Sequence, residues 1–211
     1  MHHWQSVVAD QLARLKTSVQ ADEVHIVINA DDTQTGVQAR SMCQSVFPLA
    51  KTYLGTTIND CEHPSMRLIE GLAARGEGGT LTYVHTKGVS YVDDRNAKWR
   101  ELMMQWVVDH NSEGVDACMA GYDCWGVNWM LYGAISHFSG NFWIAKLDYL
   151  RTLKPYHDYK EQIAEDHPER LAAEFWIGSG KRAKGAKSVG LSNHPNIWMQ
   201  QNHLYWFHPT T

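Results

Sequence analysis

The chain has no apolar run approaching the roughly 20 residues that a helical membrane span requires. Met1-His2-His3-Trp4 is not the basic start of a secretory signal followed by an apolar stretch, so a cytoplasmic protein without a transmembrane segment is expected. The four cysteines, Cys43, Cys61, Cys118 and Cys124, form no CxxC pair, the half of a Cys₂His₂ signature without which a His-x₄-His such as His203 and His208 closes no site. A closed zinc site is therefore excluded on spacing, and reduced thiols are expected. There is no excess of positive charge: 19 Lys and Arg stand against 23 Asp and Glu, a net charge of −4. Phosphate recognition by a dedicated nucleic-acid binder normally shows as a basic chain or stripe, so the partners expected are small molecules and not nucleic acid. A Walker GxxxxGK[ST] loop and an HExxH motif are both missing.

What the chain does contain is nine Trp and twelve His in 211 residues, a length that suits one domain with an ordinary core. Tryptophan supplies flat, amphipathic faces that stack on sugars or nucleobases, although most Trp residues in proteins serve as core.

Strand-like and helix-like segments alternate. Trp4, Val7, Val8, Leu12 and Leu15 share a helical face, and the β-branched run from Glu23 to Asn29 follows. Asp31 and Asp32 precede a helix around Val37 to Val46, and Pro64 lies near the start of another from Glu62 to Ala74. After the turn Gly76-Glu77-Gly78-Gly79 comes a strand from Thr80 to His85. Asp93-Asp94 then cap a helix through Trp99, Leu102, Met103, Trp106 and Val107. Tyr122 to Trp129 reads as a strand, Ala145 to Leu153 and Pro168 to Trp176 as helices. The pattern predicts an α/β fold with a largely parallel sheet and sites at the strand C-terminal ends. Residues 178–190, rich in Gly, Ser, Lys and Arg, are expected to form a mobile basic loop.

Two blocks carry candidate chemistry. In His85-Thr86-Lys87-Gly88 a strand delivers an imidazole, a hydroxyl and an ammonium, and Gly88 permits a tight turn or a close ligand. Lys87 can stabilise charge that develops on a departing diphosphate. In His137-Phe138-Ser139-Gly140-Asn141-Phe142-Trp143, Ser139 and Asn141 offer hydrogen bonds to sugar hydroxyls or phosphates, with Phe142 and Trp143 as a wall. The competing reading makes His85 a core histidine and Lys87 a surface cation, with Ser139 or Asn141 capping a following helix.

Read in order, Glu62-His63-Pro64-Ser65, Tyr83 to Gly88, Trp99-Arg100, Gly126-Val127-Asn128-Trp129, His137 to Trp143, Tyr149-Leu150 and Glu174-Phe175-Trp176-Ile177 resemble a family of microbial and viral glycosyltransferases. That family is similar to nucleotide-sugar transferases of the GT-A type. The resemblance implies a single Rossmann-like domain over residues 1–211 that moves a sugar from a nucleoside diphosphate to a glycan or glycoprotein hydroxyl in surface polysaccharide synthesis. In that reading His85, Thr86 and Lys87 lie at the donor diphosphate and Asn128, Ser139 and Asn141 at the sugar, with Gly88, Arg100, His137, Gly140 and Trp143 also among the donor-binding residues. Asp123 and Glu174, with His85, are the candidates for base or orienter.

The resemblance also implies a divalent cation, Mn²⁺ or Mg²⁺, as cofactor. His137 and Gly140 are similar to part of the HxxGxxKPW element whose His binds metal, but the Lys and Pro are absent here. No Asp-x-Asp occurs anywhere, and Asp31-Asp32, Asp93-Asp94 and Asp60-x-Glu62 read first as helix caps. Cations such as Lys87, Arg100 and the basic loop are then the alternative to a metal. The competing function is a non-catalytic nucleotide-sugar or carbohydrate-binding module on a degenerate transferase fold.

Overall fold

The computed structural model describes residues 3–55, 60–87, 89, 94–180 and 185–189. It is a mixed α/β fold. Helix α1 (His3–Ser18) leads into strand β1 (His25–Ile28), helix α2 (Thr33–Val46) and strand β2 (Lys51–Leu54). The two strands pair in parallel, His25 opposite Lys51 through Ile28 opposite Leu54. Asp32 caps α2: one carboxylate oxygen accepts from the Thr35 N–H at 2.9 Å and the other from its hydroxyl at 2.8 Å. One of the adjacent aspartates is thus a cap, as its position before an apolar periodicity predicts.

Helix α3 (His63–Ala73) turns Met66, Ile69 and Ala73 inward, and strand β3 (Thr80–Tyr83) follows. Helix α4 (Asp94–Met104) runs without a break into a π-helical turn at Gln105–Asp109, then helix α5 (Asn111–Met119). Asp93 and Gly88 lie outside the described residues. The segment expected as one strand from Tyr122 to Trp129 divides at Asn128 into β4 (Cys124–Val127) and β5 (Trp129–Tyr132). Strand β6 (Ile135–Phe138) returns antiparallel to β5, and β7 (Trp143–Lys146) comes after a tight turn. Helices α6 (Leu147–Leu150), α7 (Tyr156–Asp166) and α8 (Leu171–Phe175) precede a 3₁₀ turn at Trp176–Gly178 and strand β8 (Ala186–Val189).

The largest sheet has the order β3-β7-β4-β8 and is mixed, which corrects the expectation of a mostly parallel one. β7 runs antiparallel to both β3 and β4, while β8 is parallel to β4. The physical reason lies in Trp143-Ile144-Ala145-Lys146, an apolar run that the sequence reading gave partly to a helix. Here Trp143, Ile144 and Ala145 are fully buried in a strand between β3 and β4. Side chains alternate across this sheet, as the period of two requires. Tyr83, Trp143, Ala145 and Cys124 enter a core shared with α3, α6, α7 and α8. Trp125, Val127 and Ile144 enter a second core with α4, the π turn and α5. A sheet covered on both faces explains why its two inner strands, β4 and β7, read as apolar runs rather than alternating ones.

The basic stretch is corrected in part. Ala186–Val189 is a strand paired with β4, and Lys187 Nζ lies 5.5 Å from the Tyr122 ring centroid and 5.6 Å from that of Trp125. Residues 181–184 and 190, on which the rest of the mobile-loop expectation falls, are outside the described residues. Among the described residues no helix is long and apolar enough to cross a membrane.

Candidate functional site

Because β3 and β4 run the same way and β7 runs against them, the segment after Tyr83, the segment before Trp143 and the segment after Val127 meet at one end of the sheet. This brings His85 and Lys87 from beyond β3 to the Ser139-Gly140-Asn141 turn before β7.

The turn is held by its backbone conformation and by two side chains. Gly140 has φ +85°, and a Cβ there would lie 2.5 Å from both Met103 Sδ and Trp99 Nε1, so α4 leaves room for glycine alone. The Gly140 N–H donates to Glu174 Oε1 at 2.6 Å, and the Gly140 carbonyl accepts from His85 Nε2 at 3.0 Å. Asn141, at φ +59°, uses the left-handed conformation that asparagine tolerates better than most residues. Its Nδ2 donates to Glu62 Oε2 at 2.6 Å and to the Ala173 carbonyl at 3.3 Å, and its Oδ1 accepts from Trp143 Nε1 at 2.8 Å. Asn141 and Trp143 are therefore buried scaffold, their polar groups spent on each other and on Glu62.

Glu62 joins the cluster from the start of α3. It occupies the N-cap position, where an acid was expected to cap, yet its side chain makes no capping bond. Instead Oε2 accepts from the Tyr83 hydroxyl at 2.9 Å as well as from Asn141, and Oε1 stands 3.5 Å from His85 Nδ1. The sequence reading gave Glu62 no role at the site. Its only signal was membership of the Glu62-His63-Pro64-Ser65 motif, since a carboxylate two residues before a helix-starting proline reads as a cap.

The Glu174 carboxyl is pushed up by burial. The charge of Lys87, the Gly140 N–H bond and the nearby His137 and His85 outweigh this and hold it below the usual carboxylate range. His137 is fully buried, its ring 4.8 Å from that of Phe175, and burial lowers its pKa despite the opposing charge of Glu174. It lies in the core behind the cluster. Ser139 is also buried, and its hydroxyl has no hydrogen-bond partner among the described residues.

The remaining candidates divide. Thr86 is exposed and Lys87 half-buried beside the cluster. Arg100 reaches the same strand end, where Nη1 donates to the Lys87 carbonyl at 2.6 Å. Asn128 sits at φ +54° between β4 and β5, and its carbonyl accepts from the Ser139 N–H at 3.2 Å. Asp123 is not brought to the site: it precedes β4, at the far end of the sheet, about 16 Å of strand away from Asn128. There it is 3% exposed, its Oδ1 3.3 Å from Lys146 Nζ and its Oδ2 accepting from the Gly185 N–H at 2.8 Å.

A cavity of about 280 Å³, none of whose lining residues belongs to the cluster, opens at the C-terminal ends of β1 and β2. Tyr53, Leu54 and Gly55 line it from β2, and Asp60, Pro64 and Arg67 from the α3 start. No group of three or more His, Cys, Asp or Glu side chains among the described residues could hold a metal ion. The described donor set therefore does not fit a protein-only metal cage.

No curated protein and no solved structure matches the chain. A family model described as Domain of unknown function (DUF8361) matches residues 1–205, and the chain belongs to that family.

Proposed function

We propose that this protein is a glycosyltransferase, a GT-A-like domain that moves a sugar from a nucleoside-diphosphate sugar to a glycan hydroxyl in surface glycan synthesis. The observation that carries the reading is the convergence of Glu62, His85, Lys87, Gly140 and Glu174 at the end of the mixed sheet where β3 finishes and β7 begins. The cavity, whose wall includes Asp60 and Pro64 on either side of Glu62 in the chain, supports it. Tyr53 offers a stacking face, Arg67 a cation and Asp60 a hydroxyl acceptor over an apolar floor, in a volume near the lower end for small-molecule pockets.

In this reading the nucleoside occupies the cavity and the diphosphate extends past the α3 start toward Lys87. The acceptor oxygen attacks the anomeric carbon, the bond from that carbon to the diphosphate oxygen breaks, and its electron pair leaves with the diphosphate. Lys87 offsets the charge that grows on the leaving group, in a site where fixed charges need no reorganisation. Glu174 keeps the Gly140 turn in place through its short bond to the N–H.

The test is a panel of UDP-, GDP- and dTDP-sugars, with and without Mn²⁺, assayed for binding by thermal shift and for transfer or hydrolysis. Binding plus turnover is expected. Binding with no turnover over a broad acceptor panel would favour the binding-module reading, and absence of both would end the glycosyltransferase reading.

A further inference from the structure

The hydrogen bonds of His85 assign its two ring nitrogens different work. A carbonyl oxygen can only accept, so Nε2, 3.0 Å from the Gly140 carbonyl, carries the hydrogen. In the neutral ring Nδ1 is then bare. It faces Glu62 Oε1 at 3.5 Å, beyond a good hydrogen bond but well within range of a charge. The ring is fixed in this pose. Tyr83 stacks on it at 6.0 Å and 12°, and Phe142 meets it edge-on at 5.1 Å. The Glu62 carboxylate is fixed as well, because Tyr83 and Asn141 both donate to its other oxygen. His85 keeps 18% of its side chain exposed.

Resting on the glycosyltransferase reading, we infer that His85 Nδ1 is the group that accepts the proton of the incoming hydroxyl and that Glu62 is its positioning residue. A neutral ring gains little from a carboxylate beside its lone pair. Once the proton arrives, an N–H⁺ faces that carboxylate, so the interaction strengthens as the reaction proceeds, which is the condition for lowering a barrier. The acceptor O–H bond breaks toward Nδ1 while its oxygen bonds the anomeric carbon, and the sugar–diphosphate bond breaks with the electron pair leaving on phosphate. The ring returns its proton to solvent after the products depart. Glu174 from α8 also acts on the ring by charge, and Lys87 from the segment after β3 acts on Glu174.

Glu62→Gln tests this. The amide oxygen still accepts from Tyr83 or Asn141, while the charge is gone. Expected are a fall in kcat of about 10- to 100-fold with donor KM within about twofold, an unchanged thermal midpoint, and an acid limb of the kcat profile moved to lower pH. Nitrogen-15 NMR of the imidazole needs no turnover. In the wild-type protein the neutral ring should be the Nε2–H tautomer, and in the variant a smaller fraction of the ring should be protonated at any pH along the titration. An Nδ1–H tautomer in the wild type would overturn the inference even if the variant failed to fold. An unchanged titration would remove Glu62 from its role, and an unchanged kcat would remove His85 from its own. If no donor is turned over but the NMR results appear as expected, the glycosyltransferase reading fails and the Glu62–His85 pair stands.

Discussion

The two ends of the β3-β7-β4-β8 sheet each hold carboxylates and a cation, and they are built for opposite ends. At one end Asp123 is 3% exposed, and its oxygens are taken up by Lys146 and the Gly185 N–H. Its backbone N–H donates to the Gly185 carbonyl, so the whole arrangement fastens β8 to β4. At the other end Glu62 and His85 keep 25% and 18% of their side chains exposed, and Nδ1 faces a carboxylate that it does not bond closely. A buried charge whose bonds are all made internally has nothing left to offer a ligand, whereas a partly exposed one on a fixed frame does. Residue type does not separate the two; bonding and access do.

The largest effect should come from the closed end. Asp123→Ala leaves Lys146 without its partner and releases the start of β8, and it should cost about 3 kcal/mol in chemical denaturation. The same substitution should leave donor affinity in the surviving folded fraction within about twofold. A stable variant that loses donor binding would mean that the two ends are not separate. Gly140→Ala comes next, because it combines a left-handed φ with a clash against Met103 and Trp99. A loss of about 2 kcal/mol is expected, together with loss of donor binding. At the open end, Glu174→Gln should lower turnover by about tenfold or more while the thermal midpoint moves by only a few degrees. A midpoint drop comparable to that of Asp123→Ala would place Glu174 among the structural carboxylates instead.

The smallest effect is in pH. The folded state holds the Glu174 carboxyl below its ordinary range, so the unfolded chain binds this proton more readily. The resulting stability is fully present above the unfolded carboxyl value of about 4.3 and is lost as pH falls through the folded value. Denaturation of wild type and Glu174→Gln across the acid range should therefore give a shallower slope for the variant. Equal slopes would show that Glu174 carries no such linkage.

Much of this was legible in the chain. The α1 and α3 faces follow from helical spacing of apolar residues, and the polar blocks at 85–87 and 137–143 announce a strand end and a turn. What escaped has physical causes. Trp143 to Lys146 is too short and too apolar for periodicity to separate helix from strand, and with it went the direction of the central strand. Ala186–Val189, which lies in a Gly- and Lys-rich stretch, is a strand because β4 offers it a free edge, a tertiary cause that local composition does not contain. The positions of Asp123 and the Glu62 side chain escape the sequence for related reasons. Which end of a strand a carboxylate occupies relative to its partners, and whether an acid at a helix start turns to cap or away, depend on neighbours far along the chain.

The central claim is that the open end, from the α3 start to the Gly140 turn, is the working site. The most direct measurement is a backbone NMR titration with nucleoside-diphosphate sugars. The account predicts shifts at Tyr53, Glu62, His85, Lys87, Gly140 and Glu174, with Asp123, Lys146 and Gly185 unmoved. Shifts concentrated at Asp123 and Gly185, or no response to any donor, would contradict it.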